Sequence, residues 1–234
     1  MKVTAIVPSA GTGERIQHRL KKPYISLLGQ PILAHTLKVL NSVSAINQII
    51  VPVYPGEENF CEKEVVKKMS LTTEVKIVAG GETRQESVRK ALGFLPGGCD
   101  IVLIHDSARP LISRSMIKDS IEATKTKRAT AMGVPVKDTI TIVSKDDQTI
   151  AKTLARDSLY LIQTPQTFER DLIVNAHQIA LHDGFKGTDD ASLVERLGIP
   201  VTVITGSYTN IKITTKEDLL SAEAIMRNGF GSVL

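Results

Sequence analysis

The chemistry-bearing residues of this chain begin where its first apolar run ends, in Pro8-Ser9-Ala10-Gly11-Thr12-Gly13-Glu14-Arg15, with Lys22 shortly after. Glycines leave backbone N–H groups open to an anion, and the loop after a first strand is where an α/β protein holds phosphates. A glycine-containing turn there is common by itself. Arg15 and Lys22 sharpen the reading, because they supply the fixed positive charge that a polyphosphate requires.

A second constellation follows the apolar run Ile101–Ile104, in His105-Asp106-Ser107-Ala108-Arg109-Pro110. Asp106 reads either as a turn former or helix cap, or as a contact for substrate hydroxyls or a magnesium-bound water, since a carboxylate facing bare phosphates would repel them. Arg109 is spaced to orient such an acid. His105 reads as a satisfied neighbour of the strand end. Two further cations stand out: Arg156, after a hairpin pattern, and Lys212, in the apolar stretch Asn210-Ile211-Lys212-Ile213-Thr214.

Other chemistries lose ground on particular residues. A dinucleotide fingerprint needs a third glycine at position 16 and an acid ending the second strand, where this chain has Ile16 and then Val53 and Tyr54. No Gly-Lys-Ser/Thr tripeptide exists for a Walker A loop. The net charge of +4 is scattered with no run of like charges to serve as a nucleic-acid arm, and aromatic residues at 4% with no Trp weaken a reading that needs stacking platforms. Cys61 and Cys99 lack partners at ligand spacing and read as inert thiols. Met1-Lys2-Val3-Thr4 enters an apolar run with no leader pattern, and no stretch approaches the roughly 20 apolar residues of a membrane span, so a cytoplasmic protein is expected.

These residues need elements to hold them. Val3–Val7, Ile46–Val53, Val75–Val78, Ile101–Ile104 and Ala129–Val134 are short, β-branched runs that read as strands. Pro31–Leu40 and Gln85–Leu95 carry helical periodicity between them. The alternation predicts an α/β fold: a Rossmann-like, mostly parallel sheet with helices on both faces and ligands at the carboxyl ends of its strands. At 234 residues a single domain, 1–234, is expected. Between Lys137 and Leu154 the period shortens to two around the polar break Ser144–Gln148, which predicts a protruding β-arm over 137–158. A lone two-stranded hairpin is marginal, so the arm should pack on something, with a second copy of the chain a natural candidate. After Gln166 helices are expected near Glu169 and Thr188, and the last helix should begin in a capping box from Thr214 to Glu217.

Seven segments, in order, resemble the motifs of the 2-C-methyl-D-erythritol 4-phosphate cytidylyltransferase family. They are Ser9–Arg15 with Lys22-Pro23-Tyr24, Gly80–Val88, His105–Pro110, Val136–Thr139, Thr164-Pro165-Gln166, Thr188–Ala191 and Asn210–Thr214. Departures are small: Ser9 stands where alanine is usual, Ile16 where methionine is usual, and Ser107 where Ala or Gly is frequent. None removes a charged group.

The resemblance implies that a substrate phosphate oxygen attacks the α-phosphorus of CTP and expels pyrophosphate. That nucleophile is already ionised, so positioning and charge neutralisation are what the protein must supply. By resemblance Arg15 and Lys22 would hold the triphosphate, and Arg156 and Lys212 the attacking phosphate. Ser9, Ala10, Gly11, Gly13, Gly81, Glu82, Ser87, Asp106 and Ser107 would surround the nucleotide. Arg84 is left open between a structural role and a nucleotide contact. Asp106, Arg109, Thr139 and Thr164 would join Arg156 and Lys212 on the polyol phosphate.

The family exchanges its arm between two subunits, which implies a homodimer whose sites borrow Thr139 and Arg156. Mg²⁺, or another divalent ion, is implied by the triphosphate, held by its oxygens and water, with no protein ligand named. The alternatives are a ribitol 5-phosphate cytidylyltransferase, which shares several motifs, and, in other classes, an NAD-dependent oxidoreductase or a non-catalytic nucleotide-binding protein.

Overall fold

The computed structural model describes residues 1–11 and 21–229. Among them, seven strands form one sheet in the order β11-β7-β10-β6-β1-β4-β5. These are β1 (Lys2–Ile6), β4 (Ile46–Val53), β5 (Glu74–Ala79), β6 (Cys99–Ile104), β7 (Ala129–Pro135), β10 (Tyr160–Glu169) and β11 (Thr202–Thr205). All neighbours run parallel except β10, which lies antiparallel to both β6 and β7. The expected α/β sheet is therefore present, with one reversed strand.

Alternation along β1 shows why helices cover both faces. Val3, Ala5 and Val7 belong to one apolar cluster, with Leu33, Leu37 and Leu40 of α1 (Ile32–Asn41) and Met116, Ile117 and Ile121 of α4 (Arg114–Lys127). Ile6 points the other way, into a cluster with Val88 and Ala91 of α3 (Arg84–Leu92) and Leu172, Ile173 and Ala176 of α5 (Arg170–His182). Each face thus buries a continuous apolar layer, at roughly 25 cal/mol per Å² of apolar surface removed from water. A smaller cluster joins Ile25, Leu27 and Ile32 to Ile213 and Ala222, docking α7 (Lys216–Arg227) beside the short pair β2 (Ser26–Leu27) and β3 (Gln30–Pro31).

Two sequence readings are corrected. Strands β10 and β11 were not anticipated. Pro165 inside Tyr160–Glu169 argues against a central strand, but it falls where the pairing of β10 with β7 breaks register between Ile162 and Gln166, so the missing donor is tolerated. The last helix is capped one residue later than expected: Thr215 accepts from the Asp218 N–H, and the Asp218 carboxylate accepts in return from the Thr215 N–H. The arm is, as expected, a hairpin of β8 (Thr141–Val143) and β9 (Ile150–Thr153), which forms its own two-stranded sheet.

Candidate active site

Chain order reverses at β1, whose two neighbours are β4 and β6. Such a switch point opens a crevice at the carboxyl ends of the strands. A cavity of about 360 Å³ lies there, lined by Pro8, Ala10 and Gly11 after β1, Gly81–Arg84 and Ser87 after β5, and Asp106–Ala108 after β6. Lys22, Pro23, Lys212 and Thr214 complete the wall.

The loops are fixed by short-range chemistry. Gly80 has to be glycine, because a Cβ there would lie 2.8 Å from the Val53 carbonyl oxygen and from the Ala10 Cβ. Ser87, buried on α3, accepts from the Gly81 N–H at 3.0 Å and donates to the Thr83 carbonyl at 2.8 Å, closing the glycine turn. The Ser107 hydroxyl donates to the Pro8 carbonyl at 3.0 Å, and Thr36 of α1 donates to the Ser107 carbonyl at 2.9 Å, tying the β6 loop to the β1 loop. Ser9 is buried, with its hydroxyl turned to the Val7 carbonyl.

Asp106 is the electrostatic centre. Its Oδ1 accepts from Arg84 Nε at 2.8 Å, its Oδ2 lies 2.7 Å from Lys212 Nζ, and its N–H donates to Thr164 Oγ1 at 3.0 Å. Burial alone would raise the carboxyl pKa; Arg84 and Lys212 more than offset that and hold it well below the usual carboxylate range. Lys212 arrives because its segment is pinned to the Asp106 loop: Ile213 N–H donates to the Ala108 carbonyl at 2.9 Å, and Arg109 Nη1 donates to the Asn210 carbonyl at 2.6 Å.

Behind this centre lies Asp190, fully buried at the start of α6 (Asp190–Glu195). It accepts from Arg84 Nη1 at 2.7 Å and pairs with His177 Nε2 at 3.0 Å. Gln166 locks the same turn, accepting from the Asp190 and Ala191 N–H groups and donating to Asp189. Burial lowers the Arg84 pKa, but Asp190 and Asp106 together keep it above the ordinary arginine value. Arg84 is therefore a permanent cation, part-buried and lining the cavity, divided between two carboxylates.

The sequence readings separate clearly. Lys22, Ala10, Gly11, Gly81, Glu82, Arg84, Ser87, Asp106, Ser107 and Lys212 all line one cavity. Arg15 and Gly13 lie outside the described residues. Arg109 Nε stands 3.9 Å from Asp106, too far for a hydrogen bond, so Arg84 rather than Arg109 orients the acid. Thr164 sits buried beneath the cavity wall, between the Asp106 N–H and His105 Nδ1. His105 is satisfied as expected, with its other ring nitrogen 3.0 Å from the Arg109 carbonyl; burial pushes its pKa down to about 4.

Thr139 and Arg156 do not reach this cavity from their own chain. Both are exposed, and Arg156 donates to the Lys137 carbonyl at 2.8 Å. Asp190 and Gln166 were missed as site residues. Both sit in segments already marked by their motifs, which was the available signal.

A nucleotide-sized crevice at the switch point, floored by glycine turns and walled by paired charges, makes this an α/β nucleotidyltransferase. The model of the family described as 2-C-methyl-D-erythritol 4-phosphate cytidylyltransferase matches residues 3–228, and the chain belongs to that family. A protein of that description from Caldanaerobacter subterraneus subsp. tengcongensis is 45% identical over 227 residues, covering 97% of this chain and 100% of the relative. Another, from Geotalea uraniireducens, is 44% identical, with 97% and 98% covered. A crystal structure of 4-diphosphocytidyl-2C-methyl-D-erythritol synthase from Anaerococcus prevotii superposes with a TM-score of 0.85 at 33% identity, covering 96% of both chains. The Thermus thermophilus 2-C-methyl-D-erythritol 4-phosphate cytidylyltransferase gives 0.79 at 31% identity, with 97% and 100% covered.

Proposed function

We propose that this chain transfers CMP from CTP to 2-C-methyl-D-erythritol 4-phosphate, forming 4-diphosphocytidyl-2-C-methyl-D-erythritol and pyrophosphate in the non-mevalonate route to isoprenoid precursors. The observation that carries this reading is the convergence of Lys22, Arg84, Asp106 and Lys212 on one cavity in a chain of this family. A phosphate oxygen of the acceptor forms the new bond to the α-phosphorus while the bond to the β-phosphate oxygen breaks. Lys22, with Arg15, neutralises the charge gathering on the leaving pyrophosphate. Lys212, with Arg156, holds the acceptor phosphate. Asp106, kept ionised by Arg84 and Lys212, faces hydroxyl groups.

Mg²⁺ bound with CTP would supply charge screening for the triphosphate; both Asp106 oxygens are engaged by cations, which suits an ion held mainly by phosphate oxygens and water. The enzyme acts in the cytoplasm as a homodimer, with each arm supplying Thr139 and Arg156 to its neighbour. The exposed Ile142, Val143 and Ile150 on the arm and Tyr160, Leu161 and Ile162 at its root support that reading, because such a surface calls for a cover. Among the described residues no helix is long and apolar enough to cross a membrane.

Pyrophosphate release is measured with CTP and either methylerythritol phosphate or ribitol 5-phosphate. Release with the first alone is expected; release only with the second, or with neither, overturns the assignment. For the shared site, subunits carrying Arg15→Ala are mixed with subunits carrying Arg156→Ala. Recovered activity in the heterodimers is expected, and none despite subunit exchange counts against sharing.

A further inference from the structure

Lys22 lines the cavity, and the residue before it points elsewhere. Lys21 Nζ lies 2.8 Å from Glu57 Oε1 and 3.1 Å from the centroid of the Tyr54 ring. Tyr54 and Glu57 are the ends of the turn that leaves β4, closed by the Glu57 N–H donating to the Tyr54 carbonyl at 3.0 Å. Gly56 within that turn has φ +90°, a backbone setting that side chains disfavour. The turn thus sets a ring face and a carboxylate around one ammonium. Two residues beyond Lys22, Tyr24 is buried edge-on against Phe60 of α2 (Glu58–Glu64), with centroids 4.9 Å apart and planes at 74°.

We propose that Lys21, Tyr54 and Glu57 form a mount that fixes the backbone on the amino side of Lys22, with Tyr24 and Phe60 fixing the other side, so that the Lys22 ammonium is held in its working direction. These are positioning residues; none lines the cavity. A single part-exposed ion pair of this kind adds little to stability. Its effect therefore falls on the geometry of the neighbour, where misplacement of about 1 Å can cost a hundredfold in rate. The short Lys22–Tyr24 turn transmits that geometry: Lys21 enters it in extended backbone, Pro23 fixes its own φ within it, and the Tyr24 N–H donates to the Lys21 carbonyl at 2.9 Å. This inference rests on the reading of Lys22 as a triphosphate ligand.

The test measures kcat and KM for CTP in the full-length enzyme with saturating methylerythritol phosphate. Lys21→Met and Tyr54→Leu should lower kcat about five- to tenfold, whereas Tyr54→Phe, which keeps the ring face, and Lys21→Arg, which keeps the charge, should stay within about twofold. In a Lys22→Ala background, Tyr54→Leu should change the residual rate by less than about twofold, because the group it positions is gone. Equal losses in both backgrounds, a Tyr54→Phe rate as low as that of Tyr54→Leu, or a Tyr54→Leu rate equal to the parent's, would each overturn the mount. Lys22→Ala with full activity would remove the reading of Lys22 itself and the mount with it. Loss in Lys22→Ala beside unaffected Lys21→Met and Tyr54→Leu removes the mount alone. Unfolding midpoints recorded alongside show whether each variant is folded.

Discussion

The Asp106 network and the 137–158 arm carry charged residues of the same kinds in opposite circumstances. Around Asp106, Arg84, Lys212 and Asp190 are joined within one chain, at 2.7–2.8 Å, about two buried carboxylates. On the arm, Arg156 donates to a backbone carbonyl, and the apolar side chains beside it face solvent. In the first region the charges already meet opposite charges of the same chain. The second has the character of a surface that becomes useful when something covers it. A charge buried with its partner is expensive to orphan, whereas an exposed one is screened and nearly neutral for stability.

Asp190→Ala leaves Arg84 with one carboxylate and His177 with none, and should cost about 3–5 kcal/mol of stability. Asp146→Ala, at the arm's exposed turn, should stay within about 0.5 kcal/mol. Urea unfolding of the two variants checks both values, and near-equal midpoints would mean that the buried network does not hold the fold. Next in size is Lys212→Ala, which should reduce kcat/KM by roughly a hundredfold or more, the usual cost of one preorganised donor. Steady-state kinetics checks it, and a folded variant with parental activity would dissociate Lys212 from the chemistry.

Acid sharpens the contrast. His105 is buried neutral, with its pKa pushed down to about 4 from 6.5. Below pH 6.5 the unfolded chain gains a proton that the folded chain refuses, so stability should fall as pH drops from about 6.5 to 4, by up to about 3 kcal/mol, and then level off for this group. Asp106 acts in a different window. Its folded pKa is depressed, so its contribution is fully present above the ordinary carboxylate value of 3.8 and is lost only as pH falls below it. Thermal melts from pH 7.5 to 4.5 should therefore decline for the parent protein and flatten for His105→Gln; parallel curves would assign the decline elsewhere. The smallest effect on the fold is expected on the arm. Ile150→Asp, at a side chain 68% exposed, should leave the monomer's unfolding midpoint unchanged while shifting a dimer toward monomer in sedimentation. An unchanged association state would show that this face is not what the partner covers.

Much of the fold was written locally. The strand runs Ile46–Val53 and Ala129–Val134, helix α1 and the Ser144–Gln148 break are stretches whose own periodicity and turn residues agree with the final structure. Strand β10 was hidden because Pro165 contradicts its local pattern, and the irregular pairing with β7 that accommodates it belongs to two distant segments. The site divided in the same way. Residue types and motif order picked out Lys22, Asp106 and Lys212, since loops after parallel strands have a known destination.

By itself, the sequence determined that glycine-bearing loops and cations would gather at the carboxyl ends of a parallel sheet, because strand direction and glycine placement are local properties. Only the tertiary structure decided which charges meet. Arg84 and Asp190 are 106 positions apart and become a pair because α3 and α6 both pack against α5. Likewise Arg84, not the nearer Arg109, came to hold Asp106. Pairing of this kind depends on which side chains share a desolvated space, and that is a property of the packed whole.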